Sequence, residues 1–280
     1  MTDNSSLPLV TLAVPVRNGG EMLRAALDSI VNQTYPNIEI IVSDNASNDG
    51  TPALLAEYAA RYANFRVIRH DQPSAAIENF MFVLQEARGE FFAWCAHDDT
   101  RSKDFVASLL PALSDPLTLL AFGDLYIYDG VNSPQLHVGY DFETMDLPRW
   151  KRLRKAALMQ CYHIYGVWRV SALRAIKYHY VHWWSDMPVM LSAAANGLFC
   201  HVPGVQFSYY EIPKTREWRA QYQDNTVFRS RAHDLYRLFR ATFLSVRDTA
   251  GLPSAALAIL FLFEKYTVEL LRRIVRSVGL

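Results

Sequence analysis

The stretch Leu9-Val10-Thr11-Leu12-Ala13-Val14-Pro15-Val16, followed at once by Arg17-Asn18, decides how this chain is read. A nearly continuous apolar run that ends abruptly in polar residues reads as a strand buried on both faces. Working outward, the same signature returns at Ile38–Ser43, Phe65–Arg69 and Glu90–Cys95, with a further strand near Leu117–Tyr128. Helical patterns fill the gaps. Gly20–Gln33 places Leu23, Ala26, Leu27, Ile30 and Val31 on one face. Thr51-Pro52 offers a threonine N-cap and a first-turn proline for a helix running to about Ala63. Ile77, Phe80, Met81 and Leu84 mark a third helix, which Arg88-Gly89 stops, and Phe105, Leu109 and Leu113 mark a fourth. This alternation predicts an α/β fold, a doubly wound and mostly parallel sheet flanked by helices. Ligands of such sheets bind beyond the carboxyl ends of the strands. The residues to read are therefore Arg17-Asn18, Asp44-Asn45 and His97-Asp98-Asp99.

The second half is less regular. Asp129–Pro148 reads as a loop or insertion, and residues 149–180 mix a basic helix with aromatic segments. Asp186–Asn196 reads as a short helix, Phe199–Tyr210 as a strand or hairpin, and the chain as helical from about Asn225 to its end. No Gly/Ser-rich linker divides the 280 residues, which predicts one compound domain over 1–224 with a helical extension over 225–280. A chain 51% hydrophobic and 20% charged is not disordered. Lys+Arg and Asp+Glu are both 28, and a net charge of zero argues against a nucleic-acid partner. Three scattered cysteines, Cys95, Cys161 and Cys200, predict neither a disulfide framework nor a thiolate zinc site and suit a reducing compartment. Met1–Pro8 has no signal-peptide core, and Ala255–Phe263 is far shorter than the ~18 residues that span a bilayer.

Asp98-Asp99 is the sharpest local signal. Two adjacent carboxylates at a strand end suit a hard divalent cation, Mg²⁺ or Mn²⁺, completed by substrate phosphates; the plainer reading is a turn in which Asp99-Thr100 caps the next helix. Asp44 either accepts from a nucleobase or ribose edge or closes an Asx-turn, and Asp49-Gly50 is a turn. His97 is a metal ligand, a phosphate contact or a packing residue.

Together, Val14-Pro15-Val16-Arg17-Asn18, the segment Asp44–Thr51, and Ala87-Arg88-Gly89-Glu90 leading through Phe92 to His97-Asp98-Asp99 resemble family 2 glycosyltransferases. The resemblance is strong over about 8–115 and fades toward 215. It implies the GT-A fold, with 8–128 as the nucleotide-sugar-binding half and 129–224 as the acceptor-binding half. It implies that Pro15, Val16 and Asn18 border the nucleotide, that Asp44 contacts the base, that Asp98 contacts ribose or diphosphate, and that Asp99 binds the metal. The chain departs from the family's frequent Asp-Ala-Asp-Asp in having Ala96-His97-Asp98-Asp99. The resemblance places the catalytic base at Asp186, at the start of a helix, with Asp124 and Glu211 as fallbacks. Trp168, in Gly166-Val167-Trp168-Arg169, and Trp183-Trp184 are the expected acceptor-binding aromatics. The implied activity is inverting transfer of a sugar from a nucleotide-diphospho-sugar to a hydroxyl of a glycan or lipid-linked acceptor, in cell-surface polysaccharide or glycolipid synthesis. The alternatives are a degenerate nucleotide-sugar-binding scaffold and a sugar nucleotidyltransferase. Asn18-Gly19-Gly20 is too short and too weakly basic for the phosphate loop of the last.

Two basic runs, Arg149–Lys155 and Arg229–Arg240, read as solvated helix faces or as sites for phosphate on a lipid-linked acceptor or an anionic membrane. Over residues 253–280, helical geometry gathers Lys265, Glu269, Arg272, Arg273 and Arg276 on one arc and apolar residues on a much wider one, which only Glu264 interrupts. Such a helix covers its apolar arc on its own domain, on a second copy in a homodimer, or at a membrane. The expected location is cytoplasmic, peripheral on the inner face of the cell membrane.

Overall fold

A computed structural model describes residues 7–128, 134–137, 142–159, 161–179, 186–211 and 231–277. Contacts divide the chain into two compact units. The first comprises Met1–Asp141, Tyr165–Ser171 and Cys200–Val227; the second comprises Phe142–Ile164, Ala172–Phe199 and Phe228–Leu280.

The first unit is built on a mixed sheet. Its elements are β1 (Val10–Val16), α1 (Met22–Val31), β2 (Ile38–Asp44), α2 (Thr51–Arg61), β3 (Phe65–Arg69), α3 (Ala76–Glu86), β4 (Phe91–Trp94), β5 (Thr100–Arg101), α4 (Phe105–Leu109), β6 (Thr118–Tyr128) and β7 (Gln135–His137). β8 (Val167–Arg169) and β9 (Leu198–Tyr210) join them. The strand order is β3-β2-β1-β4-β8-β6-β9-β5, with β7 on β6. The long ladders β1–β2, β2–β3 and β1–β4 are parallel, whereas β4–β8, β6–β8, β6–β7 and β5–β9 are antiparallel. β1 is buried along its whole length, as a central strand covered on both faces must be. Leu23, Ala26, Leu27 and Ile30 of α1 are buried, the stripe that the spacing predicts.

Two local expectations change. Thr51 does not cap α2 with its side chain; Gly50 holds the cap position, and Thr51 Oγ1 accepts from the Gly19 N–H at 2.9 Å. The fourth helix stops at Leu109 and tightens into a 3₁₀ turn over Leu110–Leu113, because Pro111 has no N–H to continue it. Gly89 does more than end α3. A Cβ there would lie 2.6 Å from the Phe91 carbonyl oxygen and 2.8 Å from that of Leu9, so only glycine lets the chain enter β4 alongside β1.

The second unit is helical. α5 (Arg149–Leu158), α6 (Val170–Ala175), α7 (Asp186–Asn196), α8 (Arg231–Ala250) and α9 (Leu252–Ser277) complete the numbering, with α6 beginning in the first unit. α7 packs on α5 and α8, and α9 packs on the same two, which closes a ring of four helices. α7 is buried from Met187 to Ala195, so it reads as apolar on every side. Three of the five cations of the first basic run build this unit. Arg152 donates to the Ala194 and Leu147 carbonyls, Lys155 to the Glu143 carbonyl, and Arg154 pairs with Glu264. No helix among the described residues is long and apolar enough to cross a membrane.

Candidate active site

Register alone brings the strand-end residues of the first unit together. Val16 of β1 pairs with Asp44 of β2, and Asp44 pairs with Arg69 of β3. On the other side of β1, Ala13 pairs with Trp94, and its carbonyl accepts the Cys95 N–H at 2.8 Å. The segments after β1, β2 and β4 therefore open on the same edge.

The first two loops are stitched to each other. Asn18 and Ala46 adopt positive φ, 52° and 54°, uncommon for residues with a Cβ. The Asn18 N–H donates to Ser47 Oγ at 2.8 Å, and its side-chain oxygen accepts the Asn48 N–H at 2.9 Å. Asp49 accepts the Thr51 and Gly20 N–H groups at 2.9 and 3.3 Å, so its turn role includes a tie across to the first loop. Pro15 and Val16 are buried.

Asp44 is 1% exposed. Its Oδ1 accepts the Ser47 N–H at 2.9 Å, which is the turn-closing role. Its Oδ2 accepts no hydrogen bond and lies 3.3 Å from Arg69 Nη1. Asn45 clamps the next loop, accepting the Ser74 N–H at 2.8 Å and donating to its carbonyl at 2.9 Å. Ser43 is held between His70 Nε2, at 2.8 Å, and Asn79. Arg69 and His70 were not singled out from the sequence. The signal was available, since they end β3 as Asp44 ends β2.

Asp99 is fully buried and does not cap a helix; Thr100 enters β5. Its Oδ1 accepts the Tyr210 N–H of β9 at 3.1 Å, and its Oδ2 is buried without a hydrogen-bond partner. Burial, with the Asp98 charge beside it, pushes the Asp99 carboxyl up to about 8. Asp98 keeps a 20% exposed side chain, with His97 Nδ1 4.0 Å from its Oδ1. Arg101 is 5% exposed and none of its guanidinium nitrogens has a hydrogen-bond partner; it lies over the Phe105 and Phe207 rings at 5.4 and 5.7 Å. Nothing local in the sequence marks this arginine or the Tyr210 amide, because both depend on β9 returning to β5.

The acidic pair fits a hard cation. It offers one buried carboxylate oxygen with no hydrogen-bond partner and a second, more open carboxylate. Among the described residues no three His, Cys, Asp or Glu side chains cluster into a closed metal cage. Mg²⁺ and Mn²⁺ need no such cage when substrate phosphates supply the remaining ligands.

Asp186 belongs to the second unit, at the first turn of α7. Its Oδ1 accepts the Met187 N–H at 3.0 Å, and the Cys161 thiol donates to the carboxylate. Burial raises the Asp186 carboxyl above its usual range, while the thiol and the Lys265 charge oppose the rise. Asp124, the first fallback, is committed: His201 Nε2 at 2.7 Å and the Gly204 N–H at 2.8 Å occupy its oxygens. Glu211, the second, is exposed at the end of β9. Trp168 corrects an expectation. It is fully buried on β8, registered with Phe92 and Leu120, so its ring is core and presents no face to a sugar. Trp183 and Trp184 lie outside the described residues.

Glycosyl transferase family 2 matches the sequence over residues 11–173, more than half of the chain. A relative from Rickettsia typhi, described as an uncharacterised glycosyltransferase, is 34% identical over 99 residues, 35% of this chain and 30% of that protein. The chain thus covers under a third of that relative's length. Among solved structures, S. aureus TarS 1–349 in complex with UDP-GlcNAc superposes with a TM-score of 0.70 at 15% identity, over 91% of this chain and 71% of TarS. The mannosyltransferase PcManGT from Pyrobaculum calidifontis, in complex with GDP-Man and Mn²⁺, superposes with a TM-score of 0.55 at 18% identity, over 98% of this chain and 84% of its own. The expected fold is the one these enzymes share.

Proposed function

The chain belongs to glycosyl transferase family 2, and from that premise we propose that it is an inverting glycosyltransferase. It moves a sugar from a nucleotide-diphospho-sugar to a hydroxyl of a glycan or lipid-linked acceptor, in cell-surface polysaccharide or glycolipid synthesis at the cytoplasmic face of the membrane. The observation that carries the reading is the Asp98-Asp99 pair beyond β4, with its buried unpartnered oxygen, on the same strand-end edge as Asp44. The UDP-GlcNAc and GDP-Man complexes of TarS and PcManGT support a nucleotide-sugar donor.

In this reading residues 8–128 bind the donor, 129–224 the acceptor, and 225–280 form an extension. The backbone at Pro15 and Val16, together with Asn18, borders the nucleotide. Asp44, with Arg69 beside its Oδ2, meets the base. Asp98 orients ribose or diphosphate, and Asp99 would hold a divalent cation. When bound, that cation neutralises charge on the departing diphosphate. Asp186 takes the proton from the acceptor hydroxyl, whose oxygen attacks the anomeric carbon as the bond to the diphosphate breaks. A carboxyl raised by burial suits that work, because a base is most effective when its pKa lies near the operating pH. One displacement inverts the anomeric centre.

Ala96, where the family often has a carboxylate, favours a second reading, a scaffold that binds a nucleotide sugar without turnover. A donor panel including UDP-GlcNAc and GDP-Man, scored for thermal shift and slow donor hydrolysis with and without Mn²⁺, tests both. Metal-dependent stabilisation with nucleoside diphosphate release supports the enzyme, since a ligand that binds only the folded state raises its stability. Stabilisation without hydrolysis supports the scaffold, and no response from any donor overturns both.

A further inference from the structure

Nine large apolar side chains are exposed among the described residues, and seven of them lie on α5, α8 and α9: Trp150, Leu158, Tyr236, Leu252, Leu260, Phe263 and Val268. Their placement is ordered. α5 meets α9 through Arg154, whose Nε donates to Glu264 Oε2 at 2.9 Å in a two-pronged pair. One turn to either side of Arg154 stand Trp150 and Leu158; one turn to either side of Glu264 stand Leu260 and Val268. Residues four apart share a helix face. The four therefore form the corners of an apolar patch whose central charges cancel. Leu252, Leu260 and Phe263 extend it along α9 within an arc of about 80°.

Charge says what covers this patch. α5, α8 and α9 carry thirteen Lys and Arg against four Asp and Glu, a formal +9 in a chain whose total is zero. Helices of so positive a net charge repel those of a second copy, whereas an anionic bilayer attracts them. Exposed Arg149 and Lys151 flank Trp150, and the Lys151 ammonium lies 5.4 Å from its ring. Tryptophan beside cations, with Leu, Val and Phe facing outward, is the composition of helices that lie in a membrane interface.

We infer that the α5–α9 face of the second unit docks on an anionic lipid bilayer, Trp150, Leu158, Leu260 and Val268 entering the headgroup boundary while Arg149 and Lys151 meet lipid phosphates. The inference stands apart from the proposed reaction, because its test needs neither donor nor acceptor.

The full chain is sedimented with sucrose-loaded vesicles of phosphatidylcholine alone or mixed with phosphatidylglycerol. Expected is binding to the anionic vesicles only, weakened by salt. Replacing all four corners, Trp150→Ser, Leu158→Ser, Leu260→Ser and Val268→Ser, lowers the partition coefficient about tenfold or more. Arg149→Glu with Lys151→Glu leaves the corners in place and lowers it about tenfold on anionic vesicles; this second variant keeps the test decisive if the first folds poorly by circular dichroism. Equal binding of wild type and the charge-reversal variant overturns the inference. So does a dimer in light scattering, abolished by the four serines, with no vesicle binding; that result assigns the patch to a second copy.

Discussion

Asp99 in the first unit and Asp186 in the second are both aspartates whose burial lifts the carboxyl above its ordinary range, yet their surroundings differ. Asp99 has a second carboxylate next to it, one backbone N–H on Oδ1 and no hydrogen bond on Oδ2. Asp186 has a thiol and a backbone N–H as partners, with the Lys265 charge acting in its favour. A bare buried oxygen beside a like charge invites a cation; a partnered carboxyl with a raised pKa is poised to exchange a proton. The same residue type, its carboxyl raised in both places, thus meets two different sets of partners.

The sharpest way to break this comparison is to neutralise each aspartate in turn. Asp99→Asn should lower transfer about a thousandfold or more and abolish Mn²⁺-enhanced binding of the nucleoside diphosphate in calorimetry. Asp186→Asn should lower transfer by about a hundred- to ten-thousandfold and leave that binding unchanged. Nucleotide binding lost in the second variant and kept in the first would invert the assignment of roles.

A smaller effect separates Asp99 from its replacement without any substrate. Its folded pKa, about 8, exceeds that of an unfolded aspartate, so between those values the folded chain holds a proton that the unfolded chain has released. Folding stability from this group therefore declines as pH rises from about 4 through about 8. In metal-free buffer, denaturant unfolding of wild type and Asp99→Asn should show the variant gaining relative stability with rising pH, and added Mn²⁺ should narrow the difference. A flat difference profile would mean that the Asp99 oxygen is not buried as described.

How much of this was legible in the sequence follows from how local each feature is. The parallel half was readable because β1, β2 and β4 are short apolar runs whose polar ends stand next to them in the chain, and Asp44, Asp98 and Asp99 come directly from that pattern. Asp186 came from the family resemblance, and its thiol partner Cys161 did not, being 25 residues away with no motif to link them. Trp168 misled because aromatic residues serve cores and sugar sites alike; only its register between Phe92 and Leu120 shows it to be core. Arg101 and the Tyr210 amide were invisible, since antiparallel β5–β9 pairing joins residues more than a hundred positions apart. The interruption at Glu264 looked like a flaw in an apolar arc, and it is the partner of Arg154.

The smallest effect belongs to Cys161. Its thiol donates to Asp186 and so favours the carboxylate form; burial holds the thiol itself well above its ordinary range, so it remains a donor throughout the working pH. In Cys161→Ala that hydrogen bond is gone and the Asp186 pKa climbs further. A base must be deprotonated to act, so the acid limb of the kcat–pH profile should move to higher pH, by up to about one unit for the loss of a single such bond. The alkaline plateau should stay where it is. Cys161→Ser restores a donor and should return the limb toward its original position. A merely structural cysteine would instead lower the plateau or the melting temperature and leave the limb in place, and that outcome would separate Cys161 from the chemistry of Asp186.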